Sequence, residues 1–290
     1  MSKLLDLDPS LLVLQPEELD FFKHTAGIQD DVELREHILA VQKRAYEVFP
    51  YSTIRSFTFA RLTISRMPGY EDVLAIGKQN KDAILLDAGC CFGADVRKAV
   101  VDGWPADRVL ATDIIPEFWD MGHELFRSTP STFPVHFIPG NLFDPLHLAP
   151  APPPLSPPSH PPVLASLTNL TPLHGRTTAI HASALFHLFP EAQQRALARL
   201  LGSLLAPGPG AAIFGWSTGR AESGVVEFEG GVSHPRLFCF APADWRALWE
   251  DVFGEGTVRV LAVNREFEGV GLRLKGGEVL MRMEWCVTRL

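Results

Sequence analysis

The residues best equipped for chemistry cluster in one stretch, Leu85-Leu86-Asp87-Ala88-Gly89-Cys90-Cys91-Phe92-Gly93. An apolar run ends in an acid, and a turn with two glycines four positions apart follows. Glycine lets a backbone turn tightly and lets a ligand approach without meeting a Cβ. Asp113 comes twenty residues after the second glycine, at the end of the next apolar run, where a carboxylate can accept both hydroxyl hydrogens of a ribose. Two nucleotide cofactors fit this outline. A dinucleotide site uses G-x-G-x-x-G to seat a pyrophosphate on a helix N-terminus. This chain offers Gly89-x-x-x-Gly93, with Asp87 placed where it would repel an anion. An acid there suits a ligand with a positive amino-acid end. S-adenosylmethionine has that end, a sulfonium, a ribose and no phosphate, so the residues favour it over NAD(P).

Other residues carry two readings each. Asp87 either meets that ligand or caps its turn, and Asp113 either holds the ribose or caps the helix that starts at Pro116. Asp144 before Pro145 reads as turn chemistry. Cys90 and Cys91 read as small packing residues. His181 sits in an apolar run and reads as a satisfied buried imidazole, and no Asp–His pairing of the kind that tunes a strong base is evident. His187 falls just past that run, where it either touches substrate as a general base or packs. Tyr51, Arg55, Phe57 and Arg61 precede the glycine turn. They form either a solvated helix face or part of a cover closing the cofactor pocket, with Arg55 paired to a methionine carboxylate. Trp119, Phe214, Trp216, Phe238, Trp245 and Trp249 read mostly as core, with some available to an apolar acceptor site.

The elements that must hold these residues follow from periodicity. Leu34, Ile38, Val41, Ala45 and Val48 recur at helical spacing, and Phe49-Pro50 ends that helix. A second helix is predicted from Tyr51 to Met67, stopped by Pro68-Gly69. From residue 82 short apolar runs at 83–86, 108–112, 135–138, 178–182 and 211–216 alternate with helical segments, among them 190–205. Such alternation implies a parallel sheet covered on both faces. Runs at 258–263 and 279–287, joined by a Gly-rich connection, predict a closing hairpin, with one antiparallel strand at the sheet's far end. Eight of the thirteen positions 150–162 are proline, which excludes helix and central strand and predicts an extended surface loop.

Composition narrows the function classes. The 290 residues are 46% hydrophobic and 21% charged, the balance of a globular protein. A formal charge of −8 with no basic stripe argues against nucleic-acid binding. No apolar run is long enough to span a membrane, and the N-terminal residues carry acids where a signal peptide needs bases. A cytoplasmic monomer or homodimer with a small-molecule substrate is expected. Four cysteines and ten histidines lack metal-ligand spacing, so no metal is expected.

The segment LLDAGCCFG…VLATDI resembles the first two motifs of class I S-adenosylmethionine-dependent methyltransferases. Two later segments narrow the resemblance: 137–144, FIPGNLFD, and 180–189, IHASALFHLF. With Gln193-Gln194 and the leucine-rich helix that follows, they are similar to fungal methyltransferases of secondary metabolism, including those that esterify meroterpenoid carboxylates. The resemblance covers about residues 45–255 and departs from the family at the Pro-rich segment and the Gly-rich hairpin. It implies that Ala88, Gly89, Cys90 and Gly93 cradle the methionine end, with Asp87 near the ammonium. Asp113 would hold the ribose, Ile114 would lie on the adenine, and Asn141 and Leu142 would meet its polar edge. Ala182 and Ser183 would lie beside the sulfonium and the substrate.

The expected fold is therefore α/β and Rossmann-like, a seven-stranded, mostly parallel sheet with one antiparallel strand. Residues 1–80 form an N-terminal helical cover, and 81–290 the cofactor-binding domain with its Pro-rich insertion at 149–162. The expected activity is transfer of a methyl group from S-adenosylmethionine, leaving S-adenosylhomocysteine, to a carboxylate or hydroxyl of a small molecule. Tyr51 and Arg55 would join the cofactor site, and His187 would be the base if one is needed. An NAD(P)-dependent oxidoreductase and a non-catalytic methyltransferase-like binding protein remain as alternatives.

Overall fold

Short runs that are apolar on both faces make the centre of the molecule. In the computed structural model, which describes residues 5–156, 158–159, 162–229, 233–266 and 274–290, these runs become β1 (Leu85–Ala88), β2 (Val109–Thr112), β3 (His136–Phe137), β4 (Ala179–His181) and β5 (Ala212–Gly219). Every residue of β1, β2, β4 and β5 is buried, as expected of strands covered on both sides. Ahead of the sheet lie α1 (Pro16–Ala26), α2 (Asp31–Val48), α3 (Ser52–Arg55) and α4 (Tyr70–Gln79). Within and beyond it come α5 (Ala94–Val101), α6 (Pro116–Leu125), α7 (Glu191–Leu204) and α8 (Pro242–Phe253). The later strands are β6 (Gly224–Glu227), β7 (Arg236–Cys239), β8 (Val258–Glu266) and β9 (Met281–Arg289).

The seven-stranded sheet has the order β3-β2-β1-β4-β5-β9-β8. Strands β1 to β5 pair in parallel, and β9 runs antiparallel to both β5 and β8. The fold class is the predicted one, but the hairpin closes differently from the expectation. The reversed strand β9 lies second from the edge and β8 takes the edge. Burial explains the choice, because Met283–Val287 are all buried whereas β8 alternates buried and exposed positions. Arg259, Arg265 and Glu266 face water on that edge strand, where charges discourage further pairing. Residues 267–273 of the Gly-rich connection lie outside the described residues, as do residues 1–4 of the predicted cover and Pro157, His160 and Pro161 of the Pro-rich segment. The two-stranded sheet β6–β7 was not predicted.

Helix α2 starts where Asp30 accepts hydrogen bonds from the N–H groups of Val32 and Glu33. It buries Leu34, Ile38, Val41 and Ala45, while Val48, last on the predicted stripe, is 41% exposed. The helix predicted over 51–67 is instead one turn, α3, then two short 3-10 turns at Thr58–Ala60 and Ile64–Arg66. Phe57 breaks it with φ 55°, and Ser56 Oγ donates back to Ser52 O at 2.8 Å. The break buries Ile54, Phe57 and Phe59 together against Phe92 and Phe118, which an uninterrupted helix would spread around its circumference. One face of the sheet packs against α7 and α8 through Trp245, Trp249 and Trp285. The other packs against α4, α5 and α6 through Tyr70, Val96 and Trp119. The described part of the Pro-rich segment forms neither helix nor strand.

Candidate active site

A cavity of about 450 Å³ opens at the carboxyl ends of β1, β2 and β4, the position where doubly wound sheets bind ligands. Its floor is the turn after β1. Gly89, Cys91 and Gly93 all have positive φ (77°, 50° and 67°). The N–H groups of Gly89 and Cys90 both donate to Thr112 O, at 2.9 and 3.2 Å, which ties the turn to the end of β2. Cys91 N–H donates to Asp113 Oδ2 at 2.9 Å and Ile115 N–H to Asp113 Oδ1 at 3.0 Å. The Asp113 carboxylate is thus fixed from two sides. Burial raises its pKa against the pull of those two backbone bonds.

Asp87 and His181 are register partners across β1 and β4. His181 Nδ1 lies 2.8 Å from Asp87 Oδ1, and Ser183 Oγ lies 2.6 Å from His181 Nε2. All three residues line the cavity. The Asp–His pairing that the sequence left unseen is therefore present, because the two residues are far apart in the chain and meet only through the parallel register. Asp95, which the sequence reading also missed, lines the same region from the first turn of α5. It accepts Ile64 N–H at 2.8 Å, and burial raises its pKa to about 6. Asp95 lies just past the glycine turn, in the first turn of α5, outside the motif that the glycine spacing picks out.

Part of the cavity wall is apolar. Phe143, Leu185, Leu188, Phe189 and Trp216 line it, with Gln193 at its edge. His187 sits here, and its tautomer is set by the backbone. Thr218 N–H donates to His187 Nδ1 at 3.1 Å, so the ring carries its proton on Nε2. Burial, aided by His234, lowers its pKa to about 3. A neutral ring whose one lone pair is already engaged is a donor and not a base at neutral pH, which speaks against His187 as the base that a hydroxyl acceptor would need. His234, also unforeseen, stacks on Tyr51 with ring centroids 5.8 Å apart and planes 3° from parallel. Burial, then the charges of Asp113 and Cys91, push the Tyr51 hydroxyl up to about 12.

Asp87, Gly89, Cys90, Asp113, Ile114, Asn141, Leu142, Ser183, His187 and Tyr51 line the cavity, as their predicted roles require. Four predicted residues do not. Ala88 and Ala182 turn their methyl groups into the core beneath α7 and α8. Gly93 faces Trp119, whose Cζ3 a Cβ there would approach to 2.6 Å. Arg55 turns to the N-terminal segment, its Nε donating to Asp6 O at 2.9 Å. Asn141 accepts Phe143 N–H on Oδ1, and Asp144 accepts Leu146 N–H in a turn, as predicted. Of the six aromatics offered to an acceptor site, Trp216 lines the cavity. Among the described residues no lysine or arginine lines it. Three carboxylates with no opposing guanidinium or ammonium among the described residues suit a cation and disfavour a pyrophosphate, which speaks against the dinucleotide alternative. Among the described residues no group of three or more His, Cys, Asp and Glu could hold a metal ion, and no helix is long and apolar enough to cross a membrane.

Comparison with known proteins places the chain among methyltransferases. Residues 7–60 match the family described as the meroterpenoid methyltransferase N-terminal domain. The O-methyltransferase phiE of Fungal sp. (strain ATCC 74256) is 30% identical over 234 residues, 80% of this chain and 70% of that protein. The methyltransferase adrK of Penicillium roqueforti is 29% identical over 233 residues, 80% of this chain and 74% of its own. Among solved structures, the 1,6-didemethyltoxoflavin-N1-methyltransferase of Burkholderia thailandensis aligns with a TM-score of 0.48 at 12% identity, over 88% of this chain and 90% of that one. With identity to phiE sustained along most of both chains, the chain belongs to the family of fungal O-methyltransferases that includes phiE.

Proposed function

We propose that the protein methylates a carboxylate oxygen of a small, largely apolar molecule. The observation that carries this reading is a single cavity with two kinds of lining. Its wall carries the carboxylates Asp87, Asp95 and Asp113 together with aromatic side chains that include Phe143, Phe189 and the Trp216 ring beside His187. The carboxylates fit the ammonium and sulfonium of S-adenosylmethionine. Asp87 would take the ammonium, Asp113 the ribose hydroxyls, and Ile114, Asn141 and Leu142 the adenine. When bound, the cofactor supplies an electrophilic methyl group and leaves as S-adenosylhomocysteine. Residues 1–80 act as a cover, contributing Tyr51, Phe59 and Thr63 to the cavity wall, so that the reaction is shielded from water.

The protein's own chemical work is then mainly alignment. His187 Nε2–H donates to one oxygen of the acceptor carboxylate while the other oxygen attacks the methyl carbon. A carboxylate is already ionised at neutral pH and needs no base. A hydroxyl acceptor would need one, and His187 does not provide it. The test is to incubate the protein with S-adenosylmethionine and metabolite extracts, then to treat the methylated product with mild alkali. Release of the methyl group as from an ester supports the reading. An alkali-stable ether, or a kcat at saturating cofactor that rises through pH 6–8.5, assigns a hydroxyl acceptor instead. S-adenosylhomocysteine binding with no turnover on any acceptor would leave the non-catalytic alternative.

A further inference from the structure

The cofactor reading sets a cation against Asp87, yet that carboxylate already has a partner. The His181 ring and the Asp87 carboxylate are 2% and 3% exposed, with Nδ1 and Oδ1 2.8 Å apart. The charged and titratable groups around this pair come from α5, the end of β2 and the turn after β1. Asp95 faces the imidazole from α5, Asp113 faces Asp87 from the end of β2, and the Cys90 and Cys91 thiols face it from the turn. From β5 the ring meets Phe214, with centroids 5.6 Å apart. His181 is thus a cation-forming side chain set against a group of carboxylates that no lysine or arginine among the described residues of the cavity wall offsets.

We propose that His181 is the positioning residue of the methionine end, serving as counter-ion to Asp87 in the free protein and giving up its proton when the cofactor's ammonium takes that role. The inference rests on the cofactor orientation proposed above. Its physical basis is competition, since two cations beside one buried carboxylate repel each other, and the imidazole is the one that can become neutral near pH 7. Burial alone would lower the proton affinity of His181, but the charge and hydrogen bond of Asp87, with the charge of Asp95, raise it above the ordinary value. After losing the proton, the ring keeps Nδ1–H on Asp87 and accepts Ser183 Oγ–H on Nε2. Asp87 thereby stays fixed, with its second oxygen turned to the ligand.

The test uses calorimetry of S-adenosylhomocysteine binding to the full chain, in two buffers with different ionisation heats. Up to about one proton should be released per ligand near pH 7, and Kd should tighten roughly fivefold to tenfold between pH 6 and pH 8. His181→Asn keeps an N–H aimed at Asp87 but does not titrate, so its Kd should be flat over that range and its binding should release no proton. Asp95→Asn should retain the release and move it to lower pH. Absence of release from the unaltered protein overturns the proposal, as does release that persists in His181→Asn and disappears in Asp95→Asn. Should His181→Asn fail to fold, ¹⁵N spectra of the histidine rings decide. A His181 imidazolium that becomes neutral on saturation with ligand supports the proposal, and an unchanged ring overturns it. Failure of the ligand to bind at any pH would instead defeat the cofactor reading.

Discussion

Asp113 gives one carboxylate oxygen to Ile115 N–H and the other to Cys91 N–H. A carboxylate has about four acceptor positions, so two remain for ribose hydroxyls, and the side chain cannot swing away from them. Asp113 does not cap α6 as the alternative reading had it, since the N-cap position is Ile115 and no side chain caps the helix; its bond to Ile115 N–H is compatible with the ligand reading. Asp113→Ala should weaken S-adenosylhomocysteine binding by about 1.5–3 kcal/mol, the range for a hydrogen bond to a charged group, with the fold intact by circular dichroism. Calorimetry showing unchanged affinity would remove Asp113 from the site. His187 gives a prediction about stability. Its folded pKa is about 3, below the ordinary histidine value, so the unfolded chain binds a proton first as pH falls. Above pH 6.5 the group is neutral in both states, and below it the folded state loses stability, by about 2 kcal/mol at pH 5. His187→Asn can still accept Thr218 N–H but cannot titrate. Urea unfolding at pH 7.5 and pH 5 should show a smaller loss in the variant, by about that amount. An equal loss in both proteins would contradict the buried neutral ring.

The turn after β1 works as an element because it is held from behind. The Arg97 guanidinium donates to Phe92 O at 3.0 Å and Gly93 O at 3.2 Å, and lies over the Phe126 and Phe133 rings at 4.5 and 4.2 Å. Burial lowers its pKa to about 9. Gly93→Ala meets both a positive φ and the Trp119 ring, so it should cost about 2–4 kcal/mol of stability in urea titrations. Its effect on ligand affinity in the folded protein should be smaller than that of Asp113→Ala. Affinity lost without stability would return Gly93 to the cofactor wall. The Pro-rich segment touches the body where Pro154 and Pro158 approach Gly175, and its described residues contribute nothing to the cavity wall. Removing residues 152–159 should leave S-adenosylhomocysteine affinity within about twofold and cost about 1–2 kcal/mol. Loss of folded protein on expression would show instead that the segment is structural. Local patterns gave these elements away unevenly. The turn and the proline run are written in residue types, whereas the break at Phe57 depends on which rings must share a core, and the place of β9 depends on its partners.

Across the whole molecule, three packed layers meet at the cavity: the sheet, the helices on its faces, and the N-terminal segment. Phe92 and Phe118 belong to the cluster that joins α1 and α2 to the body, and both also line the cavity. The ligand would therefore share side chains with the cover's own core. What the sequence revealed was the contiguous half of this site. Asp87, Gly89 and Asp113 sit at strand ends that periodicity locates, so spacing finds them. Asp95 and His234 reach the cavity from a helix face and from the β6–β7 connection, and nothing in the spacing of either marks it. The His181–Asp87 pair spans 94 positions and needed the strand order before it could be recognised.

The six tryptophans are unequally placed with respect to the cavity. Trp104, Trp119, Trp245, Trp249 and Trp285 are buried away from its wall, and Trp216 alone among them lines it, close to the His187 ring at 5.7 Å. An acceptor molecule seated against these aromatic side chains would sit on that indole, so the protein carries a built-in optical reporter of occupancy that does not depend on turnover. Titrating carboxylic acids should shift or quench the emission, and Trp216→Phe should silence the response while leaving S-adenosylhomocysteine affinity unchanged. A fluorescence screen of this kind would rank acceptors before any product is isolated, and a response that survives in Trp216→Phe would place the acceptor elsewhere.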